Sequence, residues 1–118
     1  YTHQPEILAD LSLSEETLTA VKKGMGDLVT TGSLAGEFKN CTVTAGAKTG
    51  SAQVGDVVPD GVFVCFAPFE DPEIAVAVVI EQGRSGAALA PIAVQILNDY
   101  FTPGDTGYTV VPEGTLLP

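Results

Sequence analysis

The chain has 118 residues and a mass of 12.1 kDa, the size of one ordinary domain without room for a second core. Five Lys and Arg stand against fifteen Asp and Glu, for a net charge of −10 and a pI near 4.1; this field repels phosphate backbones and anionic lipid heads and argues against nucleic-acid binding. Only 17% of residues are charged while the mean hydropathy is +0.28, so part of the surface is expected to be covered by a partner or by the rest of a longer chain.

The lead-in YTHQPEILADL reads as extended, with Pro5 preventing an early helix. A helix is predicted from about Ser14 to Gly32. Ser12 with Glu15 has capping-box spacing, Ser14 is the alternative N-cap, and Glu15 and Glu16 suit the positive helix end. Leu18, Val21, Met25, Leu28 and Val29 fall on one face. Gly24 and Gly26 weaken this helix in isolation, which points to a close approach by another element. Residues 33–40 read as a loop, and residues 41–45 can be extended.

Gly46 to Gln53 is a run of small residues around one lysine, and residues 54–61 carry the breakers of a turn region. Val62–Phe66 and Ile74–Glu81 are the clearest strands, joined by the hairpin loop Pro68-Phe69-Glu70-Asp71-Pro72. Every position from Ile74 to Ile80 is apolar, which predicts a central strand buried on both faces. That run is the longest of its kind and falls far short of the roughly 20 residues of a membrane span. A second helix is expected from Pro91, with a stripe of Ile92, Ala93, Ile96, Leu97, Tyr100 and Phe101. Residues 102–118 lack periodicity and read as an irregular tail. The fold class is therefore α+β, an antiparallel sheet with flanking helices.

Two cysteines, no CxxC and a single His3 make a metal site improbable, and no cofactor is expected. A Cys41–Cys65 disulfide is one alternative; two free buried thiols are preferred. The strongest chemical candidate is Lys48-Thr49-Gly50-Ser51. Lys48 is the only cation between Lys39 and Arg84 and would make a positive spot for an anionic ligand. Thr49 and Ser51 would share one side of a strand, and Gly50 would let a ligand's backbone come close. The plainer reading is a surface lysine on an edge strand. Arg84-Ser85-Gly86 could touch a substrate at a cleft edge, although a plain loop explains them. Glu70, Asp71 and Glu73 read as a solvated acidic turn rather than a cation site.

Gly46 to Gln53 (GAKTGSAQ) resembles the KTG box of penicillin-binding proteins. Residues 62–68 and 72–81 resemble the two strands that follow the box in class B transpeptidases. Ala90-Pro91-Ile92-Ala93 and Ile96 to Phe101 resemble the closing helix, and Ser14 to Gly32 is similar to the helix before the box. The resemblance covers about residues 5–101 and implies part of a serine β-lactamase/transpeptidase-like fold. Residues 1–101 would be a C-terminal portion of a transpeptidase domain.

Such enzymes cross-link peptidoglycan: a serine attacks the D-Ala-D-Ala bond of a stem peptide, and β-lactams acylate the same serine. By resemblance, Lys48 would set the electrostatics beside the nucleophile and orient the substrate carboxylate. Thr49 and Ser51 hydroxyls would bond that carboxylate, with Gly50 between them, and the Ser51 N–H would be one of two oxyanion-hole donors. The parent would be extracytoplasmic and anchored to the membrane, with no membrane contact by this segment itself.

The sequence departs from the family pattern in three respects. No Ser-x-x-Lys or Ser-x-Asn occurs, so the nucleophile is expected in the remainder of the domain and this chain alone is expected to be inactive. The near miss Thr19-Ala20-Val21-Lys22 reads as a solvated helix face. Ala47 stands where the family usually has Gly, and Ser51 replaces the common Thr while keeping its hydroxyl. The chain opens at Tyr1 without an initiator Met and reads as a trimmed piece. A β-lactam-sensing receptor domain and a non-catalytic structural or binding module are the alternative readings.

Overall fold

The structure is a computed structural model that describes residues 4–53 and 55–102; the expected tail beyond Thr102 lies outside the described residues. Helix α1 spans Glu15–Thr30. Its cap is Ser14, whose Oγ accepts from the Thr17 N–H at 3.2 Å, while Ser12 sits at φ 46° and forms no capping box. Gly26 is buried because Phe69 lies across it, and an added Cβ would come within 2.7 Å of the Phe69 ring. At Gly24 a Cβ would meet nothing within 4 Å, so only one of the two helical glycines answers to a close approach. The expected apolar face is mostly open: Leu18 and Val21 are exposed, and only Val29 among its members is buried.

Residues 33–40 are not wholly loop. Ala35–Phe38 form one helical turn, α2, which drives Phe38 into the core against Phe63, ring centroids 6.3 Å apart. The chain then returns under the tip of the last helix, where the Asn98 side chain takes the Thr42 N–H at 2.8 Å and donates to the Asn40 carbonyl. Thr44 Oγ1 next donates to Glu70 at 2.5 Å while accepting from the Phe69 N–H. The Thr44 hydrogen bond holds the Glu70 carboxyl below its usual range, helped by the residue's own backbone N–H. These contacts fix where the first strand begins.

Strands β1 (Gly46–Ala52), β2 (Asp60–Ala67) and β3 (Ile74–Ile80) form one antiparallel sheet in the order β1-β2-β3. The register is set by pairs such as Lys48 with Val64, Ser51 with Gly61, and Val62 with Val79. The central strand is β2, not β3. The expectation of a doubly buried β3 is corrected: among the described residues it lies at an edge of the sheet, with Val79 62% and Ile80 40% exposed. Its apolar run reflects surface that nothing in the described chain covers.

A 3₁₀ turn, Gly86–Leu89, leads into α3, Ala90–Phe101, with Pro91 in the first turn as expected. Its buried side is Ala90, Ala93, Val94 and Leu97; Ile92, Ile96 and Tyr100 from the expected stripe are exposed. One core joins Leu34, Phe38, Ala47, Phe63, Cys65, Ala67, Leu89 and the buried face of α3. Each large apolar side chain in it contributes about 1.5–3 kcal/mol. Both cysteines are free thiols, Cys65 buried and Cys41 half-buried. Among the described residues no helix is long and apolar enough to cross a membrane.

Candidate active site

Strand β1 carries Lys48, Thr49, Gly50 and Ser51 along the free edge of the sheet, because no strand pairs with its outer side among the described residues. The ladder sets Lys48 opposite Val64 on one face. Ala47, Thr49 and Ser51 lie opposite Cys65, Phe63 and Gly61 on the other. Strand alternation thus puts the two hydroxyl residues on one side, as their spacing implies. Lys48 belongs to the opposite face.

The Lys48 side chain is exposed and turns back to the edge, where its Nζ donates to the Thr49 carbonyl oxygen at 2.7 Å. In an antiparallel ladder the N–H and C=O of one residue point the same way, and direction alternates along the strand. With the Thr49 carbonyl meeting the ammonium at the open edge, the Ser51 N–H two residues on faces that edge too. The edge therefore combines one ammonium with an outward backbone donor, and the sheet face beside it carries the hydroxyl residues Thr49 and Ser51. That set suits a bound carboxylate and a developing oxyanion.

Among the described residues Lys48 makes no ion pair; the pair present is Lys23–Asp27 on α1. No carboxylate among the described residues competes for the Lys48 ammonium through a salt bridge. Among the described residues a Cβ built on Gly50 would meet nothing nearer than Val62 Cβ at 3.5 Å, so their packing does not demand glycine at that position. Beside the strand an open groove of about 570 Å³ runs between α1 and β1, lined by Val21, Gly24, Met25, Leu28, Ala47, Lys48 and Thr49. Its walls are almost wholly apolar except where Lys48 and Thr49 form the rim.

The other sequence candidates fall elsewhere. Lys22, from the near-miss motif, lies over the rings of Phe66 and Phe69 at 5.7 and 5.4 Å, so it packs rather than activating Thr19. Arg84 is exposed at φ 66° in the loop after β3. Glu70, Asp71 and Glu73 sit on the exposed β2–β3 hairpin loop, and among the described residues no group of three acids, His or Cys is placed to hold a metal. Sequence reading missed Asn98 and Thr44, which hold the approach to β1. An asparagine inside an amphipathic helix pattern and a threonine in a short coil give no pattern to read.

An antiparallel sheet backed by a C-terminal helix, with a KTG edge strand, defines a transpeptidase-like segment. The chain matches the penicillin-binding protein transpeptidase domain family over residues 2–98 and belongs to it. It is 30% identical to Penicillin-binding protein 2A of Bacillus subtilis, over 83% of this chain and 16% of that protein. To the peptidoglycan D,D-transpeptidase MrdA of Acinetobacter baumannii it is 32% identical, over 75% of this chain and 15% of that protein. Among solved structures it resembles penicillin-binding protein A of Mycobacterium tuberculosis, captured as an imipenem acyl-enzyme complex. The TM-score there is 0.64 at 27% identity, covering 75% of this chain and 20% of the other. The chain thus spans about one sixth of the length of the curated relatives it matches.

Proposed function

We propose that this chain is the KTG-bearing wall of a peptidoglycan D,D-transpeptidase whose nucleophilic serine lies in the remainder of the domain. The observation that carries the reading is the free edge of β1, where the Lys48 ammonium and the outward Ser51 N–H meet on a strand of small residues. Lys48 orients the terminal carboxylate of the stem peptide, or that of a β-lactam, and biases the field beside the serine. Thr49 and Ser51 hydroxyls bond the same carboxylate. The Ser51 N–H and the nucleophile's own N–H stabilise the oxyanion that forms as the serine attacks the carbonyl carbon. Collapse of that oxyanion breaks the D-Ala-D-Ala amide and releases the terminal D-alanine, or opens the ring amide of a β-lactam, and the serine holds the acyl group until a second peptide's amine displaces it.

The rest of the domain, bearing the SxxK and SxN motifs, is the partner this chain needs. The open groove beside α1, the exposed Leu18 and Val21, and the half-exposed apolar β3 are surfaces it would cover. The substrate of such an enzyme lies outside the cytoplasm, and the parent is read as an extracytoplasmic protein held at the membrane by another segment.

The test is mass spectrometry of the full-length protein after incubation with benzylpenicillin. A covalent adduct is expected on a serine outside residues 1–118. In that protein Lys48→Ala should slow acylation by about tenfold or more, because a charge-assisted contact to the ligand carboxylate is lost. An adduct inside this segment, or an unchanged rate in the variant, would overturn the assignment.

A further inference from the structure

Gly86 is no part of the ligand-facing edge, yet it packs so closely on the site's backbone that no side chain has room there. It is buried at the start of the 3₁₀ turn, over the paired residues Gly50 and Val62. A Cβ added there would fall 2.7 Å from the Gly50 nitrogen and 2.5 Å from its oxygen, and closer still to the Val62 carbonyl oxygen. No L side chain fits between these peptide groups without something shifting.

The neighbouring contacts decide what would shift. The loop that delivers Gly86 is pinned to the start of β2, where the Arg84 N–H donates to the Pro59 carbonyl at 2.9 Å and the Gln82 N–H to Asp60 Oδ1 at 2.8 Å. Behind the turn, Leu89 and Ala90 are fixed in the core at 3% and 0% exposure. Among the described residues strand β2 has ladder partners on both sides, β1 and β3, whereas β1 has one on a single side and otherwise rests on α1. Displacement therefore falls on β1 at Gly50, one residue before Ser51.

We propose that Gly86 is a positioning residue for the oxyanion-hole strand: its bare Cα seats the 3₁₀ turn against the Gly50 peptide and so sets the direction of the Ser51 N–H. This rests on the transpeptidase reading of Lys48 to Ser51. Gly61 belongs to the same seam. It pairs with Ser51 in the ladder, and a Cβ on it would lie 3.3 Å from the Ser85 carbonyl oxygen and 3.4 Å from Leu89 Cδ1.

The experiment is stopped-flow acylation of the full-length protein by benzylpenicillin, separating the noncovalent dissociation constant from the acylation rate constant. Gly86→Ala is expected to lower the rate constant by about tenfold or more, below the loss of a whole oxyanion donor, while the dissociation constant changes little. Gly26→Ala is the control: its Cβ would lie 2.7 Å from the Phe69 ring, and neither residue lines the groove beside Lys48, so it should lower the melting temperature without slowing acylation of the folded protein. Gly61→Ala keeps the test open where Gly86→Ala fails to fold, with a fall of about threefold expected because the overlap is milder.

A rate constant in Gly86→Ala or Gly61→Ala no lower than in Gly26→Ala would overturn the proposal. If the wild type acylates and Thr49→Val raises the dissociation constant, the transpeptidase reading survives that result. A wild-type protein that takes no penicillin would overturn both.

Discussion

Cys65 illustrates how one residue's surroundings set its chemistry. It lies in the core opposite Ala47, and burial, with a smaller contribution from Cys41, pushes its thiol from an ordinary 9.0 up to about 11. The folded protein holds this proton more tightly than the unfolded chain does. Its stabilising effect is complete below pH 9 and is lost as pH rises through about 11. Melting temperature is expected to fall across that window, and Cys65→Ala should make the fall shallower; an unchanged slope would show that other groups govern it. A thiol reagent at neutral pH should modify half-buried Cys41 well before Cys65. Lys48 is the opposite case: exposed, without an ion pair among the described residues, and bonded to the strand's own edge.

Among the elements, α1 separates two glycines that look alike in sequence. Gly26 is required by the Phe69 ring, whereas Gly24 faces open space. Gly24→Ala should stabilise the full-length protein by about 1 kcal/mol through helix propensity alone, and Gly26→Ala should destabilise it. Calorimetry of both variants checks this, and a loss on Gly24→Ala would mean that the outer face of α1 is closely covered by other parts of the protein. The limits of α1, the hairpin and the Pro91 start of α3 were legible from caps, breakers and periodicity. Helix α2 was not, because four residues carry no period and Phe38 is drawn inward by a ring on β2. The α3 stripe was mistaken by one position because sequence spacing could not tell which flank of the helix meets the sheet. The sheet meets the side with Ala93, Val94 and Leu97.

At the scale of the whole molecule, the dominant feature is apolar surface left open. Ile7, Leu8 and Leu11 before α1, Val21 on it, and Val79 on β3 are each more than half exposed, in a chain spanning about one sixth of its curated relatives. Val79→Lys tests the reading that more of the protein covers β3. It should cost on the order of 3 kcal/mol in the full-length protein, because a charge is forced into an apolar contact, while leaving the exposed edge of the isolated segment undisturbed. An unchanged melting temperature in the full-length variant would mean that this side of β3 faces water.

The linear chain encodes most of the local elements, α2 excepted, together with the family resemblance and the motif, since capping, alternation and the KTG spacing are properties of neighbouring residues. It also registered an excess of apolar surface, because composition counts side chains wherever they end up. Strand order was decided by the packing of the folded chain: seven consecutive apolar residues predict burial on two faces, but in the described structure β3 is a half-exposed edge. The seat of Gly86 on the Gly50 peptide likewise joins residues far apart in sequence. A close backbone contact depends on how strand, loop and helix pack together, and no local pattern encodes it.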